Sequence, residues 1–327
     1  MQKFNAIDLM EKRRYRTDYF PEKEQPVFTI NEKVIGTLQN FILFAGLPKA
    51  GKSTYISGVV GSSLIPDNIF GLKISFPKER KKICYIDTES SDYDFYRQMN
   101  RIKDLTTLNP LPSNFDAFAV REDNPEIIKL YIEQYLEINK DCSVVVVDGF
   151  LDLLLNFNDE VESRKLINWF KKITKIYNIL LIGVLHLGKK DGHTLGHLGS
   201  MLDRYCQSVL TIAKDKQKRT FTLEPSFLRS SEDFDPIEIF SNNGKWFSNT
   251  VKTETKESFK TTPFNTHKSN VQKMFGFDLQ LDYSALITEI KEQYACGTNK
   301  AKEILNELKD MNLLLKNKNK KYEANYI

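Results

Sequence analysis

The 327-residue chain is poor in cysteine and glycine and holds no long apolar run. Its four cysteines, Cys84, Cys142, Cys206 and Cys296, lie far apart with no C-x-x-C pair. That spacing excludes a disulfide scaffold and a zinc ribbon and points to a reducing compartment. No apolar stretch approaches the roughly 18 residues a membrane span needs. The longest, such as Ile179-Leu-Leu-Ile-Gly-Val-Leu185, have the length of strands. The opening Met1-Gln-Lys-Phe-Asn5 has no apolar core behind it that would make a signal peptide. A soluble, cytoplasmic protein without a membrane partner is the expectation. Charge of one sign is also lacking: 47 Lys and Arg oppose 43 Asp and Glu, a net +4 that is too weak a field to imply a polyanionic partner. The cations do cluster, in 12–16, 80–82, 214–219 and 316–321, and each run equally suits a solvated helix end or hairpin tip.

Scarce glycine locates the chemistry. Of 15 glycines, five fall between Gly46 and Gly71 and five between Gly183 and Gly199. Backbone that must turn left-handed or approach a ligand closely needs glycine, so two loops of special geometry are expected there.

Residues 1–35 read as a mixed arm, a charged helical start broken by Pro21 and Pro26. From Asn40 short apolar runs alternate with helical patterns. The spacing predicts strands over 41–45, 83–87, 117–120, 144–148, 180–185 and 209–213, with helices over 52–60, 92–102, 125–138 and 159–177. Fully apolar strands such as Val144-Val-Val-Val147 predict an α/β fold whose mostly parallel sheet is covered on both faces. Hairpins follow, one turning at Asn242-Asn-Gly244. Residues 248–267, rich in Ser, Thr and Lys, read as a linker between a domain over 36–247 and a small unit over 268–327. In that unit helix, Gly297 turn, helix and hairpin make the pattern of a winged helix-turn-helix.

Gly46-Leu47-Pro48-Lys49-Ala50-Gly51-Lys52-Ser53, followed by Thr54, fits G-x-x-x-x-G-K-[ST] between an apolar strand and a helix. Such a loop wraps phosphate with backbone N–H groups, reaches the β/γ-phosphates through Lys52 and ligates Mg²⁺ through Ser53. ATP and Mg²⁺ are therefore the expected cofactors. Asp148 ends an apolar strand where, given the phosphate loop upstream, an acid that binds Mg²⁺ directly or through water belongs. A third strand runs Ile83-Cys-Tyr-Ile-Asp87-Thr88-Glu89, and either Asp87 or Glu89 is placed to polarise water. Asn-Lys-x-Asp and Ser-Gly-Gly-Gln motifs are absent, which argues against a GTPase and an ABC ATPase.

In this order of motifs, over about residues 25–247, the chain resembles RecA-like ATPases of the hexameric replicative-helicase family typified by RepA and DnaB. The resemblance implies a RecA-like core, Glu89 as catalytic base and His186, after Leu181-Ile-Gly-Val-Leu185, as the γ-phosphate sensor. It places the loop Gly188–Gly199 against single-stranded DNA, with Lys189 and Lys190 meeting phosphate. It implies Arg229, in Leu223-Glu-Pro-Ser-Phe-Leu-Arg229, as a finger into a neighbour's nucleotide. Phe227 stands where the family has lysine, and Arg219 is the rival. His186, His193 and His197 lie within 12 positions, but in a glycine-rich loop without cysteine, which disfavours zinc.

The expected protein is an ATP-hydrolysing homo-oligomer, a hexamer by resemblance, acting in replication or mobilisation of a plasmid or mobile element. A DNA-binding regulator switched by ATP, without unwinding, is the alternative. In the C-terminal unit Asn299, Lys300 and Lys302 are placed to meet duplex DNA, while Ala301, Ile304, Leu305 and Leu308 pack inward. The same fold also serves protein docking, and Glu303, Glu307 and Asp310 dilute its basic face.

Overall fold

Apolar runs too short to make helices become the strands of one large sheet. The computed structural model describes residues 6–11, 13–18, 20, 23–188, 196–250, 264–275, 280–294, 296–311, 313–317 and 321–325. Two units make up the chain, Met1–Lys252 and Thr253–Ile327.

The first unit begins with α1 (Ala6–Glu11), β1 (Pro26–Ile30) and β2 (Lys33–Thr37). Strand and helix then alternate through β3 (Phe41–Gly46), α2 (Lys52–Leu64), β4 (Leu72–Ile74), β5 (Lys82–Asp87), α3 (Asp92–Thr106) and β6 (Phe115–Ala119). They continue through α4 (Pro125–Ile138), β7 (Cys142–Asp148), α5 (Glu160–Tyr177), β8 (Leu180–His186) and α6 (Gly196–Tyr205). Strands β9 (Ser208–Asp215), β10 (Thr220–Leu228), β11 (Ile237–Asn242) and β12 (Lys245–Thr250) close the unit.

The nine-stranded sheet has the order β12-β11-β10-β9-β3-β8-β7-β5-β6. Strands β9, β3, β8, β7, β5 and β6 are parallel, and β10 to β12 add to the edge antiparallel. Period-two alternation builds a core on each face. Ile42, Phe44, Val144 and Val146 pack with Tyr55, Val59 and Ile102 on the α2–α3 side. Leu43, Val145 and Val147 pack with Ile132, Leu166, Phe170 and Leu202 on the side of α4, α5 and α6. This is the α/β architecture of a RecA-like P-loop core, with β8 inserted between β3 and β7.

The arm expected over residues 1–35 is corrected at its C-terminal end. Strands β1, β2 and β4 form a second, three-stranded sheet, and Val27, Phe28, Ile30 and Ile35 are fully buried in the α2–α3 core. Alternation over so short a segment, interrupted by a bulge between Pro26 and Phe28, hides that pattern. The linker expected over 248–267 is corrected at both ends. Strand β12 runs to Thr250, a helix starts at Phe264, and His267 is buried; residues 251–263 lie outside the described residues.

The second unit holds α7 (Phe264–Phe275), α8 (Tyr283–Gln293), α9 (Thr298–Asp310) and the hairpin of β13 (Leu314–Lys316) and β14 (Tyr322–Ala324). Leu281 bridges antiparallel to Tyr322 and adds a third short strand position to the hairpin. Leu286, Ile290, Ala301, Ile304, Leu305 and Leu308 share its core with Val271, Phe275 and Tyr322.

Candidate active site

The carboxyl ends of β3, β8, β7 and β5 carry the site, since a parallel sheet brings those ends to one edge. Strand β3 leads into the glycine-rich loop and the loop into α2. Gly51 has φ 93°, and a Cβ there would press into the Phe221 ring at 2.6 Å, so glycine is required twice over. Lys52 is buried. Its ammonium donates to the carbonyls of Gly46 and Leu47 and to His186 Nδ1, each at 3.0 Å. Burial lowers its pKa, and the carboxylates of Glu89 and Asp148 oppose that shift. Of the remaining expected phosphate-loop residues, Ala50 and Thr54 are buried, Ser53 is half-buried at the first turn of α2, and Leu47, Pro48 and Lys49 are exposed.

His186 joins two of the expected groups. Lys52 has no lone pair, so Nδ1 accepts and the ring proton sits on Nε2, 3.1 Å from Glu89 Oε2. The Lys52–His186–Glu89 connection therefore reaches from the phosphate loop to the tip of β5.

Geometry separates the two acids at that tip. Asp87 is buried and accepts from the backbone N–H of Glu89 at 3.0 Å and of Ser90 at 2.7 Å through Oδ1. Its Oδ2 faces the Tyr85 hydroxyl at 3.1 Å. It holds the turn. The Glu89 side chain is 40% exposed and keeps its carboxylate at the mouth of the site.

Asp148 is buried and stands 3.0 Å from the same Tyr85 hydroxyl. Burial first, then Asp87 and Glu89, push its pKa up to about 7, against the Tyr85 hydrogen bond and Lys52. Gln98 donates to the Tyr85 oxygen at 2.9 Å, and one phenolic proton cannot serve two carboxylates. With its raised pKa, Asp148 is able to take up the further proton. Hard oxygen donors at Ser53 and Asp148 fit Mg²⁺, which takes one or two protein ligands and otherwise water and phosphate. Those two residues would hold it, and the ion would supply neutralisation of phosphate charge.

Four contributors escape the sequence reading. Tyr85 couples Asp87 to Asp148, and its one signal is a phenol inside an otherwise apolar strand. Thr88 places its hydroxyl 2.7 Å from Asp152 Oδ2 and 3.0 Å from the Asp148 carbonyl. Asp152 is raised in pKa, chiefly by burial, with the Thr88 hydrogen bond opposing. Gly149 has φ 129°, and a Cβ there would fall 2.1 Å from Thr88 Oγ1 and 3.2 Å from Glu89 Cγ. An Asp-Gly pair directly after an apolar strand is the signal for it.

Other expected residues lie apart from this edge. Arg229 N–H bonds to Gln207 O, and Gln207 N–H to Phe41 O, so Arg229 sits at the opposite end of β3 from the phosphate loop. Its exposed guanidinium caps the carbonyl of Arg204 at the end of α6. Five residues of strand, about 17 Å at ~3.3 Å each, separate those two ends, beyond the reach of an arginine. Arg219 stands in the β9–β10 turn with φ 58°, at the phosphate-loop end. Lys189 and Lys190 lie outside the described residues, as does His193. On α9, Asn299 and Lys302 are exposed and Lys300 pairs with Glu303 at 3.1 Å. Of the basic runs, Arg80 is spent on structure. It donates to the carbonyls of Lys140, Cys142, Tyr177 and Asn178 and staples β5, β7 and β8 at their amino ends.

A phosphate loop, a buried acid and a separate exposed glutamate along one edge of the sheet define a P-loop ATPase site. The AAA domain family matches residues 29–192, half of the chain, and the chain belongs to that family. The match begins within β1, which joins that hairpin to the ATPase core. None of the curated proteins matches the chain. Among the described residues no helix is long and apolar enough to cross a membrane.

Proposed function

We propose that the chain is a cytoplasmic, DNA-dependent ATPase of the RepA/DnaB helicase type, working as a homo-oligomeric ring, a hexamer by resemblance. The observation that carries this is the Lys52–His186–Glu89 connection. His186 ends β8, and β8 leads straight into the segment 189–195 with Lys189 and Lys190. Arrival of a γ-phosphate competes for the Lys52 ammonium, frees His186, and changes the end of the strand from which the DNA-contacting loop springs. Glu89, released from the His186 ring, then accepts the proton of the attacking water. Lys52 stabilises the charge that spreads over the transferred phosphoryl group.

The far-end position of Arg229 supports a role in trans, because it cannot serve its own phosphate loop. Such an arginine contributes about 10³–10⁵-fold to turnover. The C-terminal unit has the element order of a winged helix, and α9, with Asn299, Lys300 and Lys302, is its duplex-reading helix. A plasmid or mobile-element replication role follows from the helicase resemblance. The test is ATP turnover with and without single-stranded DNA, together with particle mass in ATP. Stimulated turnover by a hexamer-sized particle is expected. A monomer whose turnover ignores DNA contradicts the proposal.

A further inference from the structure

Helices α5 and α6 lie side by side, and a cavity of about 150 Å³ opens between them on the solvent side. Arg164, Asn168, Lys171, Arg204 and Tyr205 line it over an apolar floor, and no carboxylate is among the lining residues. Arg164 is steadied from the rim by Glu160 at 2.8 Å. The Lys171 ammonium lies 3.5 Å from the centroid of the Tyr205 ring, and Tyr205 is 42% exposed. The acids of α5 are confined to its first turn, Glu160 and Glu162; every later charge on the helix, Arg164, Lys165, Lys171, Lys172 and Lys175, is positive. Arg164, Lys171 and Lys175 recur at spacings of seven and four along one face, a stripe of about 16 Å at ~1.5 Å per residue.

We infer that this groove is a contact site for single-stranded nucleic acid, with the cations on consecutive phosphates and Tyr205 under a base. Two features select that ligand. The positive charge forms a line along α5 with Arg204 of α6 beside it, which suits a chain of phosphates better than one small anion. An exposed aromatic ring and an amide stand among the cations, the combination that pairs base stacking with backbone neutralisation. The inference rests on the nucleic-acid reading above and adds residues to it that no motif marks.

The experiment is fluorescence anisotropy of a labelled oligo(dT) 20-mer titrated with the full chain, in a non-hydrolysable ATP analogue, over a range of salt. Three proteins are compared with wild type: the double variant Lys171→Glu/Arg204→Glu, Tyr205→Ala, and the double variant Lys189→Glu/Lys190→Glu. Thermal melts confirm folding, and particle mass is measured in parallel. Reversing the two groove charges is expected to weaken binding at least 10-fold at low salt. It should also flatten the salt dependence by about 1.4 units of slope, since each of the two lost phosphate contacts contributes about 0.7. Tyr205→Ala is expected to weaken binding about fivefold or more, the lower end of one lost base stack. Wild-type affinity in both groove variants, with binding lost in Lys189→Glu/Lys190→Glu, overturns the groove and leaves the nucleic-acid reading standing. Absence of oligonucleotide binding by wild type in every nucleotide state overturns both. Unchanged binding with loss of particle mass in the groove variants makes the groove a contact between copies and overturns the inference.

Discussion

The carboxyl edge of the large sheet and the C-terminal unit spend their polar residues in opposite ways. At the sheet edge Lys52, Asp87 and Asp148 are buried, and Lys49, Gly51 and Gly149 are all left-handed. In the C-terminal unit the core is apolar apart from His267, which is buried against the Tyr294 hydroxyl and Glu307, and α9 carries its lysines outward, with Lys300 paired to Glu303 on the surface. Buried charge and strained backbone cost stability, and they persist where the surroundings hold them for chemistry. The difference sets bond-breaking chemistry at the sheet edge.

If that contrast holds, the largest effect belongs to Lys52→Ala. ATP turnover should fall at least about 10³-fold, because the ammonium is the main charge available to the transferred phosphoryl group. The Tm without nucleotide should not fall, since the substitution also removes a charge whose burial is unfavourable. Retained turnover would detach the glycine-rich loop from catalysis.

Next come the two acids of β5. Glu89→Gln is expected to bind ATP with wild-type affinity and hydrolyse it about 10²–10³-fold more slowly. Asp87→Ala is expected to lower stability instead, by about 1–3 kcal/mol, because it strands the N–H groups of Glu89 and Ser90. Urea melts and turnover measured on both variants separate the roles; a large loss of stability in Glu89→Gln would merge them.

A third way to sharpen the comparison is pH. The folded-state pKa of Asp148, about 7, lies above the ordinary 3.8 of an unfolded aspartate. The folded chain therefore binds the proton more tightly, and stability without nucleotide should fall as pH rises from about 4 to about 7, then level off. The expected loss is about 1–4 kcal/mol. Asp148→Asn should flatten that slope and raise stability at pH 8. An unchanged slope in this variant would mean that Asp148 is ionised throughout.

The smallest effect is expected on α9. Lys300→Glu should change stability by less than about 0.5 kcal/mol, as exposed pairs contribute little. Duplex-DNA affinity of the full chain should drop several-fold and lose some of its salt dependence. No change in affinity would make α9 a protein-docking helix.

The strands that line the site were legible because their apolar runs are bounded by glycine and acid, and the helical pattern over 125–138 matched α4 to the residue, which the structure caps with Asn124. Lys52 was legible from the glycine-rich loop after such a strand, Asp148 as the end of one and Glu89 as an acid just past the end of another. The β1–β2 hairpin was not, because its turn, Asn31 and Glu32, has no glycine although both residues are left-handed. Tyr85 and Asp152 were not legible either. Their roles arise from pairing in space, Tyr85 between acids on two strands and Asp152 against Thr88, which spacing along the chain does not record.

The central claim is that His186 carries the state of the nucleotide site to the loop that meets DNA. Its most direct test is the ratio of ATP turnover with single-stranded DNA to turnover without it, in wild type and in His186→Ala. The account predicts a ratio of several-fold in wild type that falls to about one in the variant, with ATP affinity kept. The same ratio in both proteins would contradict it.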